Sequence, residues 1–179
     1  MPTIMTHAIV PACLALAAGP KIIPARVAVA GVFLAMLPDA DVIGFRFGIP
    51  YESDWGHRGA SHAIATSLIV ACVMTAILRP AKTGAGLAFL FIAMASHGLL
   101  DSLTSGGLGP ALWWPFSSER IFAPFRPIRV SPFGIEAFMS QRGVAVLISE
   151  WWAVWVPMLT IGISGWVFRS FRRQSGQPV

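Results

Sequence analysis

The sequence predicts an all-α membrane protein, a polytopic helical bundle of about five apolar segments with one long irregular loop. Of its 179 residues, 55% are hydrophobic and 12% are charged, whereas soluble domains carry about 25% charged residues. The mean hydropathy is +0.69. The apolar residues fall into separate runs, and a membrane-spanning helix needs about 20 such residues. We therefore expect residues 1–179 to form a single membrane-embedded unit.

The first two apolar segments, residues 4–18 and 27–37, are short and are predicted to form a hairpin against longer helices. The first six residues contain no Lys or Arg, so they lack the basic region of a signal peptide. We expect the first segment to remain in the protein. Pro38 ends the second segment, because proline lacks the backbone donor that a helix interior requires.

Three longer segments follow at residues 63–78, 84–100 and 144–168. The last is long enough to cross a bilayer with some tilt. Residues 103–143 form the long irregular loop, which is rich in Pro, Gly and aromatic residues. Its tryptophans are typical of the headgroup zone. The arginines of this loop are either solvated charges or contacts to lipid phosphates.

Ionisable residues are scarce, and they gather at the ends of the apolar segments. The chain has four histidines and eight acidic residues, and the following lie at or just beyond segment ends: His7, Asp39, Asp41, His57, His62, His97 and Asp101. Ionisable groups at membrane depth are costly and usually functional. The 13 basic residues are instead spread over several loops, which indicates membrane topology rather than nucleic-acid binding.

The stretch around His97 and Asp101 is the strongest candidate site. These residues are four apart on a predicted helix, so their side chains project from one face. An imidazole and a carboxylate placed in this way can hold one metal ion. The alternative is a hydrogen-bonded His–Asp pair at a helix end, with no metal.

Two other stretches carry suitable groups. Asp39 and Asp41 follow the second segment and can supply a metal ligand and a supporting carboxylate, or simply a polar helix end. His57-Arg58-Gly59-Ala60-Ser61-His62 precedes the third segment. His62 is the better ligand candidate there, whereas His57 can be a ligand, a proton carrier or a supporting group. Arg58 can clamp an anion in two-point fashion.

Glu150 lies within the first turns of the fifth segment, where a carboxylate needs a partner or a metal ion. It adds a sixth candidate to the predicted cluster of ligands.

The positive-inside rule predicts that these groups share one side of the membrane. Short basic turns join the first and second segments and the third and fourth, and a basic tail follows the fifth. The rule places these on the cytoplasmic side. Each candidate ligand stands at the opposite end of its segment. We therefore expect one site on the extracytoplasmic face.

The same motifs carry a family resemblance. The chain resembles the bacterial inner-membrane metal-dependent hydrolases of the YdjM type, the DUF457 group, which is related to the zinc phospholipase C and P1 nuclease fold. The matching residues are His7, Leu37-Pro38-Asp39-Ala40-Asp41, His57-Arg58-Gly59-Ala60-Ser61-His62, His97 to Gly106, and Leu112-Trp113-Trp114-Pro115-Phe116-Ser117. The resemblance implies a multi-pass protein of the bacterial inner membrane.

In the soluble enzymes of that fold, His and Asp side chains from several helices hold up to three zinc ions and hydrolyse phosphoesters. The resemblance implies metal ligands at His7, Asp41, His62, His97 and Asp101. Histidines that the soluble enzymes supply later in the chain are absent here, and Glu150 is a partial substitute. One or two Zn²⁺ ions are therefore expected rather than three, with Mn²⁺ or Fe²⁺ as alternatives.

These observations predict a membrane-bound metal-dependent hydrolase that acts on a lipid-like phosphoester within the bilayer. Asp39, His57 and Arg58 are the predicted catalytic residues beside the metal. The alternative function is a non-enzymatic metal-binding scaffold or a small transporter. A transporter usually places polar groups near the middle of its helices, whereas here they lie at segment ends.

Overall fold

The computed structural model describes residues 1–80, 82–132 and 134–175, with only the backbone of Ile135. It confirms an all-helical bundle, and the described residues contain no strand beyond one isolated bridge between Thr104 and Ile128. The α-helices are α1 (Ile4–Ala18), α2 (Ala25–Met36), α3 (Ile64–Leu78), α4 (Thr83–Ser102), α5 (Ile135–Phe138) and α6 (Gln141–Gln174), and two 3₁₀ helices cover Leu37–Phe47 and Ala60–His62.

Three helical stretches are long and apolar enough to cross a membrane: Ala25–Phe47, Thr83–Ser102 and Gln141–Gln174. Helices α1 and α3 are shorter apolar helices of 15 residues each. The five predicted apolar segments are thus confirmed as helices. Many large apolar side chains point outward, including Phe33 and Ile69 at 64% and 63% exposure. Such an outer surface is typical of a helical bundle that faces lipid.

Helix α4 lies at the centre and packs against α1, α2 and α3. Val27, Ala71 and Leu90 are fully buried where α2, α3 and α4 meet. Gly31 of α2 leaves room for the ring of Phe89, because a Cβ at Gly31 would lie 2.4 Å from that ring. This close approach fixes how α4 presents its C-terminal end.

Helix α6 packs along α1 through small residues. A Cβ at Gly162 would lie 3.2 Å from Cys13, and a Cβ at Gly165 would lie 2.8 Å from Ala17. Small residues let two membrane helices approach closely and gain van der Waals contact. A π-helical turn at Trp151–Trp155 interrupts α6 near its first third.

The long irregular segment folds over one end of the bundle. Arg120 donates hydrogen bonds to the carbonyls of Tyr51, Ser53 and His57, at 3.4, 2.7 and 3.2 Å, and so ties this segment to the loop before α3. Ile128 is fully buried beneath it. The segment therefore covers the helix ends that carry the ionisable residues.

The basic residues of the short turns and of the C-terminal tail lie at the other end. Arg26 donates to the carbonyl of Arg79 at 3.2 Å, and Arg169 of α6 donates to the carbonyl of Ala17. Each of the five apolar helices therefore has one end in the basic region and the other towards the buried ionisable side chains. Ala81, in the predicted basic turn between α3 and α4, lies outside the described residues.

Candidate metal centre

Four side chains from separate parts of the chain meet in one buried group. Asp39, His62, His97 and Asp101 each offer a ligand atom, and these atoms lie within 4.8 Å of one another. The Nε2 atoms of His62 and His97 are 3.1 Å apart. Asp39 Oδ1 lies 3.3 Å from His97 Nε2, and Asp101 Oδ2 lies 3.4 Å from His62 Nε2. The structure thus brings together residues that are up to 62 positions apart, because α2, α3 and α4 share this end.

Hydrogen bonds on the far side of each ring determine which nitrogen faces the group. His97 Nδ1 lies 2.7 Å from the carbonyl of Ala35, so it carries the proton and donates. His62 Nδ1 lies 2.9 Å from Ser61 Oγ, which itself donates to Asp41 Oδ2 at 2.6 Å. With both Nδ1 atoms protonated, both Nε2 atoms are unprotonated acceptors. Two lone pairs therefore point at each other across 3.1 Å, as metal-ligating histidines do.

One carboxylate of this group lacks a hydrogen-bond donor among the described residues, and the other pairs with an arginine. Among the described residues, none donates a hydrogen bond to either oxygen of Asp39. Water does not compensate fully, because Asp39 is only 7% exposed. Asp101 is fully buried and has an ion pair with Arg58, whose Nε lies 2.8 Å from Oδ2. A buried carboxylate is normally paired or bound to a metal. The oxygens of Asp39 and Oδ1 of Asp101, which have no donor among the described residues, therefore fit a cation.

The charge balance of the centre also favours a bound cation. Asp39, Asp41 and Asp101 contribute three negative charges, and Arg58 contributes one positive charge. With neutral imidazoles, two negative charges remain, which matches a divalent cation. Burial alone would lower the pKa of His62, but the neighbouring carboxylates of Asp101 and Asp41 outweigh it and raise that pKa above its ordinary value. The centre attracts positive charge.

His7 lies beside this group as a fifth candidate. Its ring stacks on His97 with the centroids 3.7 Å apart, and its Nε2 is 3.9 Å from Asp101 Oδ1. The ring is fully buried, and neither nitrogen has a hydrogen-bond partner among the described residues. A buried imidazole without partners is costly. His7 and Asp101 thus lie close enough for one cation to contact both.

Asp39 and Asp41 lie in two different groups of potential ligand atoms. Asp41, the predicted ligand, accepts hydrogen bonds from His57 Nδ1, the Arg58 amide and Ser61 Oγ at 2.6, 3.1 and 2.6 Å. It lies in a second group with His57 and His62. Asp39, the predicted catalytic neighbour, lies instead among the donor-less ligand atoms. Asp41 therefore orients His57 and Ser61 through these bonds, and it still offers a ligand atom within 4.8 Å of those of His57 and His62.

His57 lies at the border between the centre and a cavity of about 370 Å³. Its Nδ1 is 2.6 Å from Asp41 Oδ1, so the carboxylate holds this nitrogen protonated and leaves Nε2 as the acceptor. His57 is 2% exposed and lines the cavity together with Tyr51 and Arg58. This arrangement of a carboxylate and an imidazole suits proton transfer.

Arg58 does not have the free guanidinium that a substrate clamp requires. Its Nε faces Asp101, and its terminal nitrogens donate to the carbonyls of Gly106 and Leu108 and to Thr104 Oγ1. The residue is 1% exposed, with a left-handed φ of 64°. Arg58 positions Asp101 and fastens the loop that follows α4.

Glu150 does not join the ligand groups that the structure forms. Its oxygens accept hydrogen bonds from the backbone N–H of Thr3 and from the hydroxyls of Thr3 and Thr6, at 2.6, 2.6 and 2.7 Å. Thr3 precedes the first residue of α1, where unpaired N–H groups and the positive end of the helix dipole favour a carboxylate. The expected partner of this buried glutamate is therefore the N-terminus of α1.

The Glu150→Ala variant should lose stability but keep its metal. It leaves three buried donors unpaired, so the free energy of unfolding should fall by about 3 kcal/mol. Chemical unfolding in detergent measures that loss, and elemental analysis measures the metal. A stable variant that has lost its metal would instead support Glu150 as a ligand.

Two glycines allow the segments of the centre to approach closely. A Cβ at Gly98 of α4 would lie 2.5 Å from the carbonyl oxygen of His62, and one at Gly59 would lie 2.2 Å from that of Asp54. The contributions of Ser61, Thr104 and Arg120 were not predicted from the sequence. Their hydrogen bonds hold in place the residues around the candidate ligands. In the sequence, only the position of Ser61 between His57 and His62 indicated such a role.

Comparisons with known proteins agree with a membrane protein. Residues 1–173 match the family described as YdjM inner membrane protein. The chain is 45% identical over 171 residues to "Inner membrane protein YbcI" from Escherichia coli (strain K12), covering 93% of this chain and 98% of that protein. No solved structure matches. The chain therefore belongs to the YdjM inner membrane protein family.

Proposed function

We propose that this protein is a membrane-bound metal-dependent hydrolase that acts on phosphoesters of lipid-like molecules. The observation that carries the proposal is the convergence of two imidazole lone pairs with two buried carboxylates. Asp39 accepts no hydrogen bond from the described residues, and Asp101 pairs with Arg58. Asp39, His62, His97 and Asp101 would hold the ion, with His7 beside them. Mixed His and carboxylate donors suit Zn²⁺ first, and Mn²⁺ or Fe²⁺ less well. One or two ions fit the residues present.

A divalent ion in such a site activates water as a nucleophile and stabilises the negative charge that develops on a phosphoester. The protein side chains do the rest. His57 Nε2 is the acceptor that takes a proton from water and returns it to the leaving oxygen, while Asp41 holds the ring. Arg58 keeps Asp101 in place. The order of the ligands resembles that of zinc phospholipase C and P1 nuclease, which supports phosphoesters as substrates.

The cavity beside His57 favours a hydrolase over a non-catalytic scaffold. A structural metal site has no need of an adjoining space, but an enzyme must admit a substrate. The cavity measures about 370 Å³, and its lining includes His57, whose Nδ1 pairs with the carboxylate of Asp41 outside the cavity. A transporter is less well supported because the ligand groups lie at one end of the bundle.

Metal analysis and a hydrolysis screen together test the proposal. Purified protein should contain stoichiometric divalent metal and hydrolyse bis(p-nitrophenyl) phosphate or phospholipids in vesicles. The His57→Gln variant should keep the metal while hydrolysis falls by about 10²- to 10⁴-fold, the usual contribution of a general base. Asp54→Asn, an exposed carboxylate near the same loop, is the matched control. Metal without hydrolysis of any phosphoester tested would favour the scaffold.

We also propose that the centre faces the extracytoplasmic side of the inner membrane. The basic turns and tail lie at the opposite end of the bundle, and the positive-inside rule assigns that end to the cytoplasm. In a variant whose native cysteines are replaced by alanine, Ser118→Cys should react with an impermeant thiol reagent on intact spheroplasts. Lys82→Cys should react only after lysis. The reverse labelling pattern would invert the orientation.

A further inference from the structure

An arginine groove lies next to the His57 cavity. It measures about 440 Å³ and is lined by Ser105, Arg126, Pro127, Arg129, Val130, Arg142 and Val146. The three arginines are exposed. Within the described residues, no carboxylate lies within 4.0 Å of any of the three. Three cations facing one groove without counter-charges repel one another, and an anion between them relieves that repulsion.

The membrane topology does not account for these arginines, although Arg126 also lies 5.0 Å from the ring centroid of Phe122. Basic residues usually gather on the cytoplasmic side of a membrane protein. Arg126 and Arg129 instead belong to the segment that covers the candidate metal centre, and Arg142 lies in the first turn of α6 at the same end. An anionic ligand on this face accounts for a cationic cluster here.

The groove adjoins the His57 cavity, because Val130 and Arg142 line both. On its other side the cavity adjoins an apolar slot of about 250 Å³, with which it shares Met1, Ser131 and Pro132. The slot is lined further by Ile4, Met5 and Phe138. Apolar, proton-transfer and cationic regions therefore follow one another along one face of the protein.

We propose that the arginine groove binds the anionic headgroup of an amphiphilic phosphoester whose reacting phosphate lies at His57 and whose alkyl part enters the apolar slot. This proposal rests on the proposed function and specifies its substrate class: a lipid that carries a second anionic group, such as a further phosphate, beyond the bond that breaks. Guanidinium groups suit that headgroup because they bind phosphate oxygens with paired, charge-assisted hydrogen bonds.

Binding without turnover tests the groove separately from catalysis. Metal-analysed protein in nanodiscs of phosphatidylcholine is titrated with phosphatidic acid, which has a terminal phosphate, and retained lipid is measured by native mass spectrometry. A parallel calorimetric titration uses inorganic pyrophosphate. The double variant Arg126→Gln/Arg129→Gln should bind phosphatidic acid at least about tenfold more weakly, equivalent to about 1.4 kcal/mol. Arg46→Gln, an exposed arginine outside the groove, should bind like the wild type.

If the wild type binds pyrophosphate and the double variant binds it more weakly, the phosphate group alone suffices. If the wild type binds only phosphatidic acid, the lipid is required. Either result supports the groove. Equal affinities of the double variant and Arg46→Gln, or no preference of the wild type for phosphatidic acid over phosphatidylcholine, would overturn it. If wild-type protein contains no metal but still binds phosphatidic acid through the arginines, the metal-dependent function is refuted and the groove proposal is retained.

Discussion

The His97→Gln variant should be purified with far less divalent metal than the wild-type protein. His97 contributes one of the two converging Nε2 atoms, and its Nδ1 is held by the carbonyl of Ala35. Glutamine keeps a polar group of similar length but removes the imidazole ligand. Losing a supporting residue typically costs 10- to 100-fold in metal affinity, so losing a direct ligand should cost more than about 100-fold. Elemental analysis by mass spectrometry after dialysis measures the effect.

Asp41→Asn provides a graded comparison for that experiment. Asp41 touches the ligand His62 only through Ser61 and the ring Nδ1, so its loss should weaken metal binding by about 10- to 100-fold. Asp54→Asn should change nothing. Equal metal content in His97→Gln and Asp54→Asn would show that the imidazoles do not bind the ion.

The Arg58→Gln variant should be strongly destabilised. Its guanidinium pairs with buried Asp101 and donates to three groups of the loop after α4. Breaking a buried ion pair by removing one partner costs about 3–5 kcal/mol, because a charge is left uncompensated. Chemical unfolding in detergent should show a loss of this size, and Arg46→Gln is the exposed control.

A substrate clamp would behave differently. Arg58→Gln would then unfold like Arg46→Gln and show a raised KM with little change in stability. The double variant Arg58→Gln/Asp101→Asn provides a further check, because contacting residues are not additive. If the pair is real, the double variant should lose less stability than the sum of the two single variants.

The apolar patterning predicted the helices well, and topology predicted the meeting of ligands. His97 and Asp101 lie on one face of α4 because they are four residues apart. Successive segments run in opposite directions across the membrane, and this alternation brings His7 and His62 to the same end. Helical periodicity and membrane thickness act along the chain, so both can be read from the sequence.

The division of roles between Asp39 and Asp41 could not be predicted. The two residues lie in an 11-residue 3₁₀ helix, where positions two apart point in directions about 240° apart. Which of them faces the ligands depends on the rotation of that helix, and the tertiary contacts fix it. Such a long 3₁₀ helix is itself unusual, and no local signal distinguished it from a polar turn.

Arg58 and Glu150 show a second limit of the sequence. Arg58 was expected to clamp a substrate anion, and Glu150 was expected at the metal because a carboxylate in an apolar segment needs a partner. The partners are instead Asp101 for Arg58, and the N-terminus of α1 for Glu150. Burial of a charge predicts that a partner exists, but only the packing of distant elements determines which one.

X-ray absorption at the edge of the bound metal tests the central claim most directly. Purified wild-type protein should show one or two equivalents of a divalent ion, with a nitrogen and oxygen shell at about 2.0–2.2 Å for Zn²⁺ and scattering from at least two imidazole rings. Sulfur neighbours at about 2.3 Å, an absence of imidazole scattering, or protein without stoichiometric metal would contradict a metal centre built from Asp39, His62, His97 and Asp101.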